Sequence, residues 1–193
     1  MIPLKLIKQL REKTGISISE CYESLEESKG DIEKAIEILR KKGEGVMSKK
    51  EARETKTGVI GVYLHADSKQ ASLVKVFCET DFVAKNEEFK ILAHDLAMQI
   101  VALKPKWIAP SGVPQEIIEK EKEIYLSEID KKKPEPIKEK IVDGKLQKFY
   151  SENCLFRQPF IKDEDLTIEE LIASYVNKFG EKIEVKEFVL FTL

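Results

Sequence analysis

Cys78 has the most chemistry to offer, because a thiol within reach of an imidazole base, His65 or His94, would form the pair that nucleophilic catalysis needs. Its setting argues against that use. Cys78 ends an apolar alternating run, where a thiol behaves as a small buried hydrophobe, and no second motif supplies an oxyanion loop. The nine glycines are scattered, and no Gly-Lys-Ser or Gly-Lys-Thr follows a glycine-rich turn to cradle a phosphate. No covalent chemistry, metal or cofactor is therefore expected, and any action on a nucleotide would pass through a partner's pocket. The run Cys78-Glu79-Thr80-Asp81-Phe82-Val83-Ala84-Lys85-Asn86-Glu87-Glu88-Phe89 offers something different. A strand ends there in a short polar turn that sets the Asp81 carboxylate beside the Phe82 ring, and an amphipathic helix follows. Strand-to-helix connections lie on the surface and carry function, whereas aromatic rings mostly bury. Phe82 is thus either a plug folded back under the helix or a probe directed at a partner.

Two rigid elements must flank such a turn if it is to position a side chain. Val59 to Leu64 is β-branched and aromatic enough for a strand, Asp67-Ser68-Lys69 supplies a turn, and Ala71 to Cys78 returns as the second strand of a hairpin. After the turn, Asn86 fits a helix cap, and Phe89, Leu92, Ala93, Leu96, Ala97, Ile100 and Val101 follow helical spacing until Lys104-Pro105. Pro114 opens a charged helix to about residue 130, residues 131–136 form a break, and Ile137 to Phe156 reads as further helix. Thr167 with Glu170 makes a capping box for a last helix closed by Gly180. Ile183 to Leu193 is a final strand. Strands flanking a helical middle predict an α+β core, residues 57–193, with a small three-stranded antiparallel sheet.

Ahead of this core, three short helices fit a minimal bundle over residues 1–43. Leu4, Ile7 and Leu10 form the core side of the first, which Thr14-Gly15 stops. Ser17 or Ser19 caps the second, and Asp31 caps the third, which carries Ile32, Ala35, Ile36 and Leu39 on one face and ends at Lys41, Lys42 and Gly43. Residues 44–56 are mostly charged and read as a solvated, partly helical linker that lets the two modules adjust their angle.

With 33 basic and 35 acidic residues, the net charge of -2 lacks the concentrated basic face of a nucleic-acid binder. Cys21, Cys78 and Cys154 have neither the even number nor the paired spacing of a disulfide framework or zinc site, and read as free thiols of a reducing cytoplasm. No run approaches the ~20 apolar residues of a membrane span.

The stretch Glu79 to Phe89 resembles the signature of bacterial translation elongation factor Ts. Leu10-Arg11-Glu12-Lys13-Thr14-Gly15 with Cys21, the run Gly30 to Gly43, and Lys140 to Tyr150 with Gln158-Pro159-Phe160 resemble further blocks of that family, in its order. The resemblance implies a short-form guanine-nucleotide exchange factor for the GTPase elongation factor Tu. It implies that the N-terminal bundle has the ubiquitin-associated fold, and that the Thr80-Asp81-Phe82 turn, with Val83, works near the Mg²⁺ and switch region of the GTPase. Bundle docking would fall to Lys8, Arg11, Ile18 and Ser19. The family commonly has Gly-Met-Met-Asp-Cys where this chain has Ser17-Ile18-Ser19-Glu20-Cys21, so the docking detail would differ. A non-catalytic adaptor that uses the bundle alone is the alternative, although an adaptor has no need of a ring and a carboxylate at a sheet-to-helix turn.

Both faces of the expected sheet are apolar. Ile60, Val62 and Leu64 stand opposite Val59 and Tyr63; Val74, Val76 and Cys78 opposite Leu73 and Phe77; and Ile183, Val185, Val189 and Phe191 opposite Phe188 and Leu190. Helices of this chain can cover one face only. A homodimer that packs two sheets face to face is therefore expected, with edge pairing of the last strand as the alternative geometry.

Overall fold

The computed structural model describes residues 2–50, 52–130 and 133–193. Met1, Glu51 of the charged segment, and Lys131 and Lys132 of the expected break lie outside the described residues.

Three helices open the chain: α1 (Leu4–Thr14), α2 (Ile18–Glu27) and α3 (Ile32–Lys50). Each boundary has a local cause. Gly15 leaves α1 at φ 68, a left-handed conformation that costs glycine nothing. The Ser17 hydroxyl accepts the Glu20 amide to start α2, and Asp31 accepts the Lys34 amide at 3.1 Å to start α3. Ile7, Leu10, Ile16, Cys21, Leu25, Ala35 and Leu39 pack as a bundle core of their own. Leu4, expected in that core, is 73% exposed instead and stands outside it.

Helix α3 does not stop at Gly43. It continues to Lys50 through the stretch expected to be a solvated linker, and Met47 packs against the core cluster of the following module. At Gly43 the helix passes so close to α8 (Ile168–Phe179) that an added Cβ would lie 3.3 Å from the Ala173 carbonyl oxygen. Charged residues crowd this stretch and mask the contact in the sequence.

The core begins with β1 (Thr57–Leu64) and β2 (Gln70–Cys78), followed by α4 (Asp81–Ala84) and α5 (Glu87–Leu103). Asn86 caps α5 by accepting the Glu88 amide. Helices α6 (Gln115–Glu128) and α7 (Glu135–Asn153) come next. A 3-10 turn over Leu155–Arg157 replaces the helix end expected near Phe156. A two-stranded ribbon, β3 (Pro159–Phe160) and β4 (Asp163–Thr167), then precedes α8, whose capping box of Thr167 and Glu170 is complete on both sides. The chain ends in β5 (Glu184–Thr192).

The main sheet is antiparallel with order β1-β2-β5. Helix α5 lies across one face so closely that a Cβ on Gly61 would sit 2.0 Å from the Ala93 carbonyl oxygen, which no side chain could tolerate. Beneath it, Val74, Val76, Phe89, Leu92, Leu96, Ile100, Ile172 and Val176 form the main core. The ribbon is tied to α5 by a buried amide: Gln99 donates to the Pro159 carbonyl at 3.0 Å and accepts the Ile161 amide at 3.0 Å.

One expectation about the sheet is overturned. Lys75 pairs with Glu187 but Val76 pairs with Val185, so Lys186 is an extra residue and β5 carries a bulge. Simple alternation put Val185 on the same face as Val189 and Phe191. The bulge reverses the side-chain direction midway, so Val185 enters the core while Val189 and Phe191 point outward. With Ile60, Val62, Leu64 and Leu73 they form an apolar face that no element of the described chain covers. Among the described residues, no helix is long and apolar enough to cross a membrane.

Candidate functional site

The stretch expected to be a polar turn is the four-residue helix α4, begun by Thr80 in extended conformation. Its hydrogen bonds are those of a single helical turn, with the Ala84 amide on the Thr80 carbonyl at 3.2 Å and the Lys85 amide on the Asp81 carbonyl at 3.0 Å. A helical turn separates neighbouring side chains by about 100°. Successive residues of α4 thus face different environments.

Phe82 is 89% exposed and belongs to none of the apolar clusters of the described residues. Val83 and Ala84, next in the chain, are each 8% exposed and belong to the main core. Phe82 is therefore no plug. Val83, expected at the partner surface with Thr80, Asp81 and Phe82, lies beneath it and anchors α4.

Asp81 is exposed and tethered. Its Oδ1 accepts the Thr57 hydroxyl at 2.9 Å, and its Oδ2 lies 3.8 Å from the Lys85 ammonium. Glu79 is held more firmly. The Lys182 amide donates to its Oε1 at 2.6 Å and the Arg53 guanidinium at 3.3 Å, and these partners, the amide first, keep its carboxyl below the ordinary glutamate range. Thr80 and the Glu79 amide both bond to Glu181. Nothing in the spacing of Arg53, Thr57 or Glu181 marks them in the sequence, because each acts across a long separation on backbone or a single side chain.

The thiol of Cys78 is fully buried. Burial foremost, and the Glu181 charge second, push it up to about 11. A nucleophilic cysteine requires the reverse shift. The two histidines are engaged elsewhere: both rings pack near Tyr63, and His94 Nδ1 lies 2.9 Å from the Val62 carbonyl oxygen.

Lys8 and Arg11 are exposed one turn apart on α1, and Ser19 and Ile18, the latter 57% exposed, are exposed at the start of α2. All four sit on the bundle, whose apolar core is distinct from the one beneath α4.

Comparison with known proteins agrees with the motifs. The family model described as Elongation factor TS matches residues 5–193. The chain is 50% identical to elongation factor Ts of Thermosipho melanesiensis, with 100% of this chain and 99% of that protein aligned. It is 53% identical to elongation factor Ts of Thermodesulfovibrio yellowstonii over 98% of this chain and 95% of that one. For elongation factor Ts of Thermotoga neapolitana the identity is 49% over 97% and 94%. With the family signature on an exposed helical turn and full-length matches at this level, the chain belongs to the elongation factor Ts family.

Proposed function

We propose that this protein is a guanine-nucleotide exchange factor for elongation factor Tu, working by contact and without covalent chemistry. The observation that carries the proposal is Phe82, 89% exposed on a helical turn whose next two residues are buried. Burying a phenylalanine is worth roughly 1.5–3 kcal/mol, which a slot on a partner would recover. Interface energy concentrates in such buried aromatic anchors.

In this reading the Thr80-Asp81-Phe82 turn enters the GTPase near its Mg²⁺ and switch region. The ring displaces the segment supporting the metal's water shell, and Asp81 orients or repels beside it. Losing Mg²⁺ removes charge neutralisation from the phosphates of GDP. GDP then leaves faster. Because coupling between two ligands is reciprocal, an incoming nucleotide expels the factor by the same free energy, and the factor is free to act again. Lys8, Arg11, Ile18 and Ser19, on the bundle of residues 1–43, would supply docking affinity to the same GTPase. Nucleic acid and membrane are not needed as partners.

The proposal includes a homodimer. The uncovered sheet face presents Ile60, Val62, Leu64, Leu73, Val189 and Phe191, with the Lys75 and Glu187 side chains paired among them at 2.5 Å. Contiguous apolar patches of this kind mark interfaces. Two such faces stacked about a twofold axis would cover each other and present two Phe82 turns.

Release of labelled GDP from elongation factor Tu, with and without this chain, tests the function. Acceleration that rises with factor concentration supports it, and an unchanged rate rejects it.

A further inference from the structure

We propose that Glu181, in the loop between α8 and β5, is a positioning residue that holds the Phe82 turn in the conformation presented to the partner. The β2-β5 ladder ends at the pair Phe77 and Glu184. Beyond it, side chains take over the bonding between the two segments. Glu181 Oε2 accepts the Glu79 amide and the Thr80 amide, each at 3.0 Å, and Oε1 accepts the Thr80 hydroxyl at 2.5 Å. In return, Glu79 Oε1 accepts the Lys182 amide at 2.6 Å. Two carboxylates from segments far apart in sequence thus exchange backbone amides, forming a reciprocal latch of charge-assisted hydrogen bonds.

The latch matters because Phe82 has no packing of its own. Its direction depends on the backbone that carries it. Val83 and Ala84 fix the C-terminal side of that backbone through the core. On the N-terminal side Thr80 is exposed, and its hydroxyl makes no cap bond to α4 but goes to Glu181. Without Glu181, residues 79 and 80 would sample more backbone states, and their ordering would be paid when the ring enters its slot. The loop is itself braced: the Lys50 ammonium donates to the Gly180 carbonyl, and the Lys182 ammonium to the Arg53 carbonyl at 3.1 Å. Glu181 therefore ties the turn to the end of α3 as well as to β5.

The functional consequence rests on the exchange-factor reading, whereas the holding of the turn is measurable in the free protein. In Glu181→Ala, amide hydrogen exchange at Glu79 and Thr80 is expected to accelerate about tenfold or more, while Val74 and Val76 in the central strand keep wild-type rates. With the partner GTPase, the maximal GDP-release rate at saturating factor should fall about fivefold to tenfold, and the half-saturating concentration should move less than about twofold, because the bundle residues are untouched. Glu181→Gln, which keeps an acceptor oxygen, should recover most of both losses. A residue with a purely structural role would instead lower thermal stability and leave this split absent. Unchanged amide rates at Glu79 and Thr80 in Glu181→Ala overturn the proposal, and so does a wild-type maximal release rate. If Glu181→Ala does not fold, Glu181→Asp, one methylene short of the amides, carries the same readouts. If the wild-type chain releases no GDP, the exchange reading fails and the amide rates alone decide whether Glu181 holds the turn.

Discussion

Phe82 and Val83 are adjacent in the chain and opposite in environment: the ring is 89% exposed and the valine beside it 8%. A rotation of about 100° along the helix separates a side chain offered outward from the one that fixes it. Their truncations should therefore differ in kind. Val83→Ala should lose about 2 kcal/mol of stability, from buried methyl groups and the space they leave. Phe82→Ala should stay within about 0.5 kcal/mol of wild type, as exposed substitutions do. Urea unfolding of the two variants checks this, and a loss of stability in Phe82→Ala comparable to that in Val83→Ala would mean the ring packs on its own chain.

The uncovered sheet face makes a prediction about mass. Light scattering at micromolar concentration should give a particle of twice the 22.1 kDa chain mass. Leu73→Glu sets a charge at the middle of the face, on the central strand and between Val62 and Val189. Burying that charge unpaired is costly. The variant should run at the mass of one chain with its helical circular dichroism intact, and a wild-type protein at that same mass would rule the dimer out.

Glu79 links the latch to pH. Its folded carboxyl lies below the ordinary glutamate value of 4.5, chiefly through the Lys182 amide and then Arg53. A depressed carboxyl favours the folded state when ionised, so the contribution is complete above the ordinary value and fades as pH falls through the lowered one. Wild type should exceed Glu79→Gln in thermal stability at pH 7, and the gap should close on acidification below about 4.5. A gap independent of pH down to 2 would show that the charge of Glu79 is not what the latch uses.

The three cysteines are fully buried, and the Cys78 thiol is pushed up to about 11. Thiolate is the reactive form. In the native protein at pH 8, an aromatic disulfide reagent should modify Cys78 about a hundredfold more slowly than in urea, the factor its depressed ionisation alone supplies. Rapid native labelling of Cys78 would show the β2 end to be open.

Docking and release should separate. Arg11→Ala and Ile18→Ala remove exposed groups from the bundle, so each should raise the half-saturating factor concentration about tenfold and leave the maximal release rate within about twofold. A surface substitution is the cleaner test than cutting the bundle away, because Gly43 and Met47 of α3 pack on the core and a truncation would uncover α8. A fall in maximal rate with unchanged half-saturation would reverse these roles.

Much of this was legible in the residues. Helix caps at Ser17, Asp31, Asn86 and Thr167 follow from side chains that bond the next amides, and the structure has all four. The hairpin and α5 follow from alternation and helical spacing. What escaped was nonlocal or small. The bulge at Lys186 needs the pairing of β5 with β2, which no single strand contains. Helix α3 runs on to Lys50 with Gly43 close against α8 and Met47 on the core, a signal lost among charges. At the site, the exposure of Phe82 was ambiguous from pattern, since a ring at a strand-to-helix turn packs inward or outward according to the phase of a four-residue helix. Glu181 was invisible because its partners, two backbone amides and the Thr80 hydroxyl, lie about a hundred residues earlier in the chain.

The central claim is that the Phe82 ring, and not the fold around it, drives nucleotide release. It is tested most directly by the rate of labelled GDP release from elongation factor Tu with wild type and Phe82→Ala across a range of factor concentrations, each variant first shown to melt at the same temperature. An anchor worth about 2 kcal/mol predicts a loss of about thirtyfold in exchange efficiency for Phe82→Ala. Equal release rates for the two proteins at every concentration would contradict the account.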